Sequence, residues 1–254
     1  MATNLFKLFG KAFSGTKALE NEVAEFYALK TEIDQSRCMI EYTPSGAILS
    51  VNQNWLGSLG YQAHEMVGKH HSSFLEKGGS DRELWQKLAR GQNDAGEYRF
   101  VAKNGEVRWY QGYYCAIPNA EGTIVKAISC MTDITQGKKQ AADYEGQIAA
   151  IGKAQGVIEF SLDGKIIGAN ANFLQVMGYG LNEIVGQHHG MFVEPGDRNK
   201  PEYRAFWEKL GRGEFDAGQY KRIAKGGKQV WLQASYNPIF DLSGKPFKIV
   251  EYAT

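Results

Sequence analysis

Four of the five histidines in this chain stand in two adjacent pairs, His70-His71 and His188-His189. Imidazole is a standard axial ligand of haem iron, so each pair is a candidate haem-binding element. Each pair also follows a glycine turn, at Gly68 or Gly186, where a histidine simply bonds a backbone carbonyl or faces water; both readings stand. Trp85 and Trp207 could stack on a cofactor, although a tryptophan on the apolar face of an amphipathic helix more often serves as core. Trp109 and Trp231, which open strands, take the same reading. Catalysis needs convergent activated groups, and the chain carries no P-loop, nucleophile elbow, His-Glu-x-x-His helix or kinase signature. An enzyme is not expected.

The elements that position these residues come from a duplication. A shift of 118 positions lays Ile40-Glu41 on Ile158-Glu159, Gly46 on Gly164, Asn52 and Asn54 on Asn170 and Asn172, Gly60-Tyr61 on Gly178-Tyr179, and His70-His71 on His188-His189. About 16 of 39 columns are identical in this block, beyond chance for unrelated segments. A four-residue insertion in the second copy, around Asp197 to Pro201, changes the shift to 122. Trp85, Gly91, Tyr98, Ala102-Lys103 and Trp109 then meet Trp207, Gly213, Tyr220, Ala224-Lys225 and Trp231. A period near 120 is too long for a solenoid and suits two globular domains.

Within one copy, Met39 to Tyr42 and Ala47 to Val51 flank Pro44-Ser45-Gly46 as a hairpin. Asn52 or Asn54 caps a short helix stopped by Gly60, and another short turn ends at Gly68. Asp81 to Arg90 carries Leu84, Trp85 and Leu88 on one face as a longer amphipathic helix. Tyr98 to Ala102, Val107 to Ile117 and Ile124 to Met131 follow as strands. The order β-β-α-α-α-β-β-β predicts an α+β fold: a five-stranded antiparallel sheet with short helices on one face, in two tandem copies joined by a helical linker.

Composition agrees. With 29 basic against 28 acidic side chains, no net field draws the chain to nucleic acid. Cys38, Cys115 and Cys130 fit neither a disulfide framework nor a zinc site, so a reducing, cytoplasmic compartment is expected. No apolar run approaches the ~20 residues that cross a bilayer, and the start lacks a signal-peptide pattern. The stretch Leu5-Phe6-Lys7-Leu8-Phe9 could lie on a membrane surface or a partner helix, or be a frayed terminus.

The order of these motifs, with Gly-Tyr after the first helix, Lys-Asn-Gly or Lys-Gly-Gly in the long hairpin and Thr132-Asp133-Ile134-Thr135 closing the fifth strand, resembles the PAS family. The resemblance covers nearly all of 38–135 and 156–254. Glu214-Phe215-Asp216-Ala217-Gly218, with Val230-Trp231 and Ala234-Ser235-Tyr236-Asn237-Pro238, is similar to PAS domains that precede the signalling region of soluble bacterial chemoreceptors, including those that regulate biofilm dispersion. It implies a sensory input module that relays to a histidine kinase through a downstream receptor signalling domain. A cofactor-free PAS pair acting as a dimerisation or docking module is the alternative. Ala169-Asn170 with Phe173, Gly178-Tyr179, His189 and Trp207 also resembles the flavin-binding PAS of aerotaxis receptors. That likeness implies FAD lined by Asn170 and Trp207, and by Asn52 and Trp85 in the first copy. The chain departs from it at Val193-Glu194-Pro195-Gly196 and Leu75-Glu76-Lys77-Gly78, where an acidic group gives no help to a cofactor phosphate.

The expected organisation is an N-terminal segment 1–37 with an amphipathic helix, a first PAS domain 38–135, a helical linker 136–155 and a second PAS domain 156–254 that stops before an output helix. Leu19, Val23, Phe26 and Ile33, after a Thr16 cap, and Ala141, Tyr144, Ile148 and Ile151 in the linker repeat at coiled-coil spacing. These stripes either form a homodimer through the N-terminal and linker helices or pack on their own sheets.

Overall fold

The computed structural model describes residues 2–76 and 81–254; the side chains of residues 2–16 and of Phe26, and with them the Leu5–Phe9 stretch, lie outside the described residues. The chain divides into two compact units, Met1–Ala141 and Ala142–Thr254. Each contains one five-stranded antiparallel sheet.

In the first unit a long helix, α1 (Ala2–Ser36), runs into β1 (Cys38–Tyr42) and β2 (Ile48–Val51). The helix passes straight through Thr16, so Thr16 is not its cap. Then come α2 (Gln53–Leu59), α3 (Ala63–Met66), a single 3-10 turn over His71–Phe74 and α4 (Arg82–Ala89). The long strands β3 (Asp94–Val101), β4 (Val107–Pro118) and β5 (Ile124–Asp133) complete a sheet of order β2-β1-β5-β4-β3. Helix α5 (Thr135–Ala154) connects it to the second copy.

The second unit repeats the pattern with β6 (Gly156–Phe160), β7 (Ile166–Ala169), α6 (Ala171–Met177), α7 (Leu181–Ile184), a 3-10 turn over His189–Phe192 and α8 (Pro201–Gly211). Strands β8 (Asp216–Ile223), β9 (Gln229–Phe240) and β10 (Pro246–Ala253) give the order β7-β6-β10-β9-β8. The matching order in both sheets is the structural signature of the duplication.

The fifth strand of each sheet lies at its centre, between the first and the fourth, and carries continuous burial where it meets the first. Ile40 pairs with Ser129 and Ile158 with Glu251, and all four are buried. Each short helix is too brief to stand alone and is held by its ends. Asn52 accepts from Trp55 N and Asn170 from Phe173 N, while Gly60 and Gly178, both left-handed, return their N–H to Leu56 and Leu174. Trp55, Leu56 and Leu59 on α2 then pack inward against Tyr110 and Phe100.

Candidate functional site

The hairpin glycines Gly46 and Gly164 take φ of +91° and +81°, and a side chain at either would meet the following histidine, His70 or His188, at 2.6 Å. This close approach seats each histidine pair against the hairpin. His70 Nδ1 accepts from Ser72 N at 3.2 Å and its Nε2 lies 2.8 Å from the Ser45 carbonyl. His188 Nδ1 accepts from Gly190 N at 3.0 Å. The first histidine of each pair is therefore a cap on the 3-10 turn.

The second histidine of each pair is buried in the core, His71 at 3% exposure and His189 at 1%. His71 Nδ1 bonds Asp81 Oδ2 at 2.8 Å and Nε2 bonds the Tyr114 hydroxyl at 2.7 Å. Trp85 Nε1 donates to the same Asp81 oxygen at 2.9 Å. The His71 and Trp85 hydrogen bonds hold the Asp81 carboxyl down at about 2 against its partial burial. Tyr42 packs edge-on to His71 and Trp85, and its hydroxyl reaches Ser129 at 3.4 Å. The first domain thus closes a polar chain within an aromatic core.

The second domain places different groups in the same columns. Asp81 is replaced by Tyr203, Phe100 by Arg222, Tyr42 by Phe160 and Ser129 by Glu251. His189 Nδ1 bonds Tyr203 at 2.8 Å and Nε2 bonds Tyr236 at 3.2 Å. Arg222 donates from Nη2 to the Tyr236 hydroxyl at 2.9 Å and from Nη1 to the Lys221 carbonyl at 2.9 Å. Burial, reinforced by Arg222 and His188, holds the His189 imidazole well below its ordinary range. Burial pushes the Glu251 carboxyl up to about 7, with Arg222 and Tyr236 opposing.

Three buried polar atoms here find no hydrogen-bond partner at proper geometry: Arg222 Nε, Glu251 Oε1 and Trp207 Nε1. Among the described residues no carboxylate lies within 4.0 Å of the Arg222 guanidinium, although the residue is only 8% exposed. Beside it, between α8 and β8, opens a cleft of ≈ 510 Å³ with Tyr203, Phe206, Tyr220 and Arg222 in its walls. Arg222 lies over the Tyr220 ring at 4.8 Å. The four-residue insertion contributes Asp197 and Lys200 to the lip.

The sequence-predicted residues divide accordingly. Trp85 and Trp207 flank the histidine clusters, edge-on to His71 and His189 at 5.6 and 5.4 Å. Asn52 and Asn170 lie elsewhere, as clamps on the incoming helices. Asn52 Oδ1 accepts from Met39 N and Trp55 N, and its amide donates to the Asp34 and Arg37 carbonyls. Asn170 does the same with Val157, Phe173, Gly152 and Gln155. Neither cofactor fits this arrangement. Haem ligation through Nε2 of His71 or His189 would displace the Tyr114 or Tyr236 hydroxyl from a core filled by aromatic side chains, and Asn170 has no amide capacity left for a flavin. Glu76 and Glu194, at the position where a flavin phosphate would need a base, are ion-paired to Arg99 and Lys221.

Sequence reasoning did not single out Asp81, Tyr114, Tyr203, Arg222, Tyr236 or Glu251. A signal existed for two of them: in the repeat alignment, Phe100 against Arg222 and Ser129 against Glu251 put a charge into a column that is apolar or small in the other copy.

Comparison with known proteins matches the same two regions. A PAS domain profile matches residues 36–136, and a PAS fold profile matches residues 166–253. The chain is 34% identical over 226 residues to the biofilm dispersion protein BdlA of Pseudomonas aeruginosa, covering 87% of this chain and 54% of that protein. It is 37% identical over 78 residues to the aerotaxis receptor of Escherichia coli, covering 31% of this chain and 15% of the receptor. The chain thus spans about half the length, or less, of these curated relatives. With two sheets of one strand order and a profile match on each, the chain belongs to the PAS family and carries two PAS sensory domains in tandem.

Proposed function

We propose that the chain is a cytoplasmic, non-enzymatic sensory input module for chemotaxis-type signalling. A small ligand or a redox change is detected within a PAS domain and relayed through α1 and α5 to a downstream receptor signalling domain and its histidine kinase. The observation that carries this reading is the asparagine clamp. One side chain ties the first strand of the sheet, the first turn of the core helix and the last carbonyls of the incoming helix, in both copies. A shift in core packing therefore has a hydrogen-bonded route to the helix.

The helices have a surface to act through. Leu19, Val23, Tyr144, Ile148 and Ile151 are 41–63% exposed, so these stripes are not consumed by packing on their own sheets. Pairing with a second copy through them supports a homodimer. At its start α5 is fixed to the first sheet, with Trp109 N donating to Thr135 Oγ1 at 2.9 Å and Ser58 donating to Asp133 at 2.6 Å. Three free cysteines fit a reducing compartment. No helix among the described residues is long and apolar enough to cross a membrane.

A docking role without a ligand is favoured for the first domain alone, because Tyr42, Trp55, Phe100, Tyr110 and Tyr114 fill its interior at 0–1% exposure. The test of the whole reading is bis-maleimide crosslinking of Val23→Cys and Ala141→Cys chains in a Cys115→Ser background, in air and under anaerobic reduction. The crosslinking rate changes at least at one position, and Asn170→Ala weakens the change. Equal rates at both positions under every condition contradict it.

A further inference from the structure

Resting on the sensory reading of the second domain, we infer that its cleft binds a small carboxylate with a flat apolar body, and that Arg222 takes the carboxylate. A buried guanidinium without a counter-charge is costly, and such groups persist where something else compensates them. Arg222 comes close to that description: it is 8% exposed, no carboxylate is within direct ion-pair distance, its nearest acid, Glu251, is reached only through the Tyr236 hydroxyl and is pushed up to about 7 by burial, and its Nε–H is unpartnered. A guanidinium has five N–H donors; two are used, by Lys221 O and the Tyr236 hydroxyl, which leaves three, enough for a two-oxygen acceptor.

The surroundings narrow the class further. Lys200 is paired with Asp197 at 2.6 Å and Lys221 with Glu194 at 2.9 Å, so both lysines of the cleft are ion-paired, while Arg198 beside Tyr203 gives its Nε to the Val193 carbonyl. Glu202 adds a negative charge to the lip. A single buried guanidinium with carboxylates at the lip suits a monoanion better than a phosphate dianion. Phe206, Tyr203 and Tyr220 offer aromatic walls, and ≈ 510 Å³ lies within the usual size of a small-molecule site. In the first domain the Arg222 column holds Phe100, packed against Trp55 at 4.8 Å, so the same ligand has no cation there.

The experiment titrates the full chain with phenylacetate, benzoate and indole-3-acetate, each against its amide, by intrinsic fluorescence and thermal melting. At tenfold excess over Kd at least one carboxylate raises the melting of the second domain by about 5 °C, and its amide does not. Arg222→Met, checked for retained fold by circular dichroism, weakens that carboxylate at least about 30-fold, while Arg222→Lys retains part of the affinity. Equal binding of acid and amide overturns the inference on the unmodified chain. So does unchanged affinity in Arg222→Met, or no response to any of the three acids. A negative result here with stimulus-dependent crosslinking intact removes the carboxylate and leaves the sensory reading standing.

Discussion

The two PAS domains share one backbone plan and spend their interiors differently. The first fills its centre with Trp55, Tyr42, Phe100, Tyr110 and Tyr114, and its buried histidine finishes a satisfied chain from Asp81 to Tyr114. The second puts Arg222 and Glu251 at the inward columns, each with one buried polar atom unpartnered as Trp55 Nε1 and Arg108 Nε are in the first, and keeps a cleft open beside them. Duplication supplies two copies of a stable scaffold, and with one copy closed by packing the other can carry the cost of an unsatisfied site.

The largest expected effect breaks the closed side of this contrast. Trp55 is fully buried between Phe100 and Tyr110, with ring centroids 4.8 and 4.2 Å away. Trp55→Ala destabilises the first domain by about 3–5 kcal/mol, measured by urea unfolding, and leaves the second-domain transition in place.

The next effect sharpens the contrast through pH. Glu251 titrates near 7 in the folded domain against an ordinary 4.5, so it contributes stability at low pH that is lost as pH rises through that window. His189 is held below its ordinary 6.5, so its contribution runs the other way, present above pH 6.5 and lost as pH falls. Below pH 6.5 the two contributions therefore oppose one another. Glu251→Gln exposes the histidine contribution, so the variant loses stability as pH falls below 6.5, read from melting curves. A flat profile in that variant would show that His189 takes up its proton in the folded domain as readily as in the unfolded chain.

Much of this architecture was legible from residues alone, because its signals are local or repeated. The glycine stops after α2 and α6, the hairpin at Lys103-Asn104-Gly105 and the two offsets of the repeat all act within a few residues or recur. The short strands before the helices and the three long strands after them appear where periodicity placed them, with ends moved by one to four residues; β3 begins at Asp94 rather than Tyr98 because β4 continues the pairing back to Tyr114. The candidate site was less legible. His71 and His189 were marked by their pairing, but Asp81 and Tyr203 reach them from the α4 and α8 helices and Tyr114 and Tyr236 from the sheet, 10 to 47 positions away in the chain. Arg222 follows Lys221 in an exposed-looking basic run, and only the alternation of strand β8 turns it inward. Asn52 and Asn170 read as helix caps and ligand contacts; their second role, gripping the preceding helix, depends on carbonyls 15 to 18 residues upstream.

The central claim is that Arg222 is kept in the second domain at a cost to stability. Its most direct test is the unfolding free energy, without added ligand, of an Arg222→Phe chain that copies the first domain's residue into this column. The account predicts a gain of about 1 kcal/mol or more in the second-domain transition, as a ring replaces a buried guanidinium with no direct ion pair. A loss of stability would contradict it, because Arg222 would then be a structural partner of Tyr236 and not a site awaiting one.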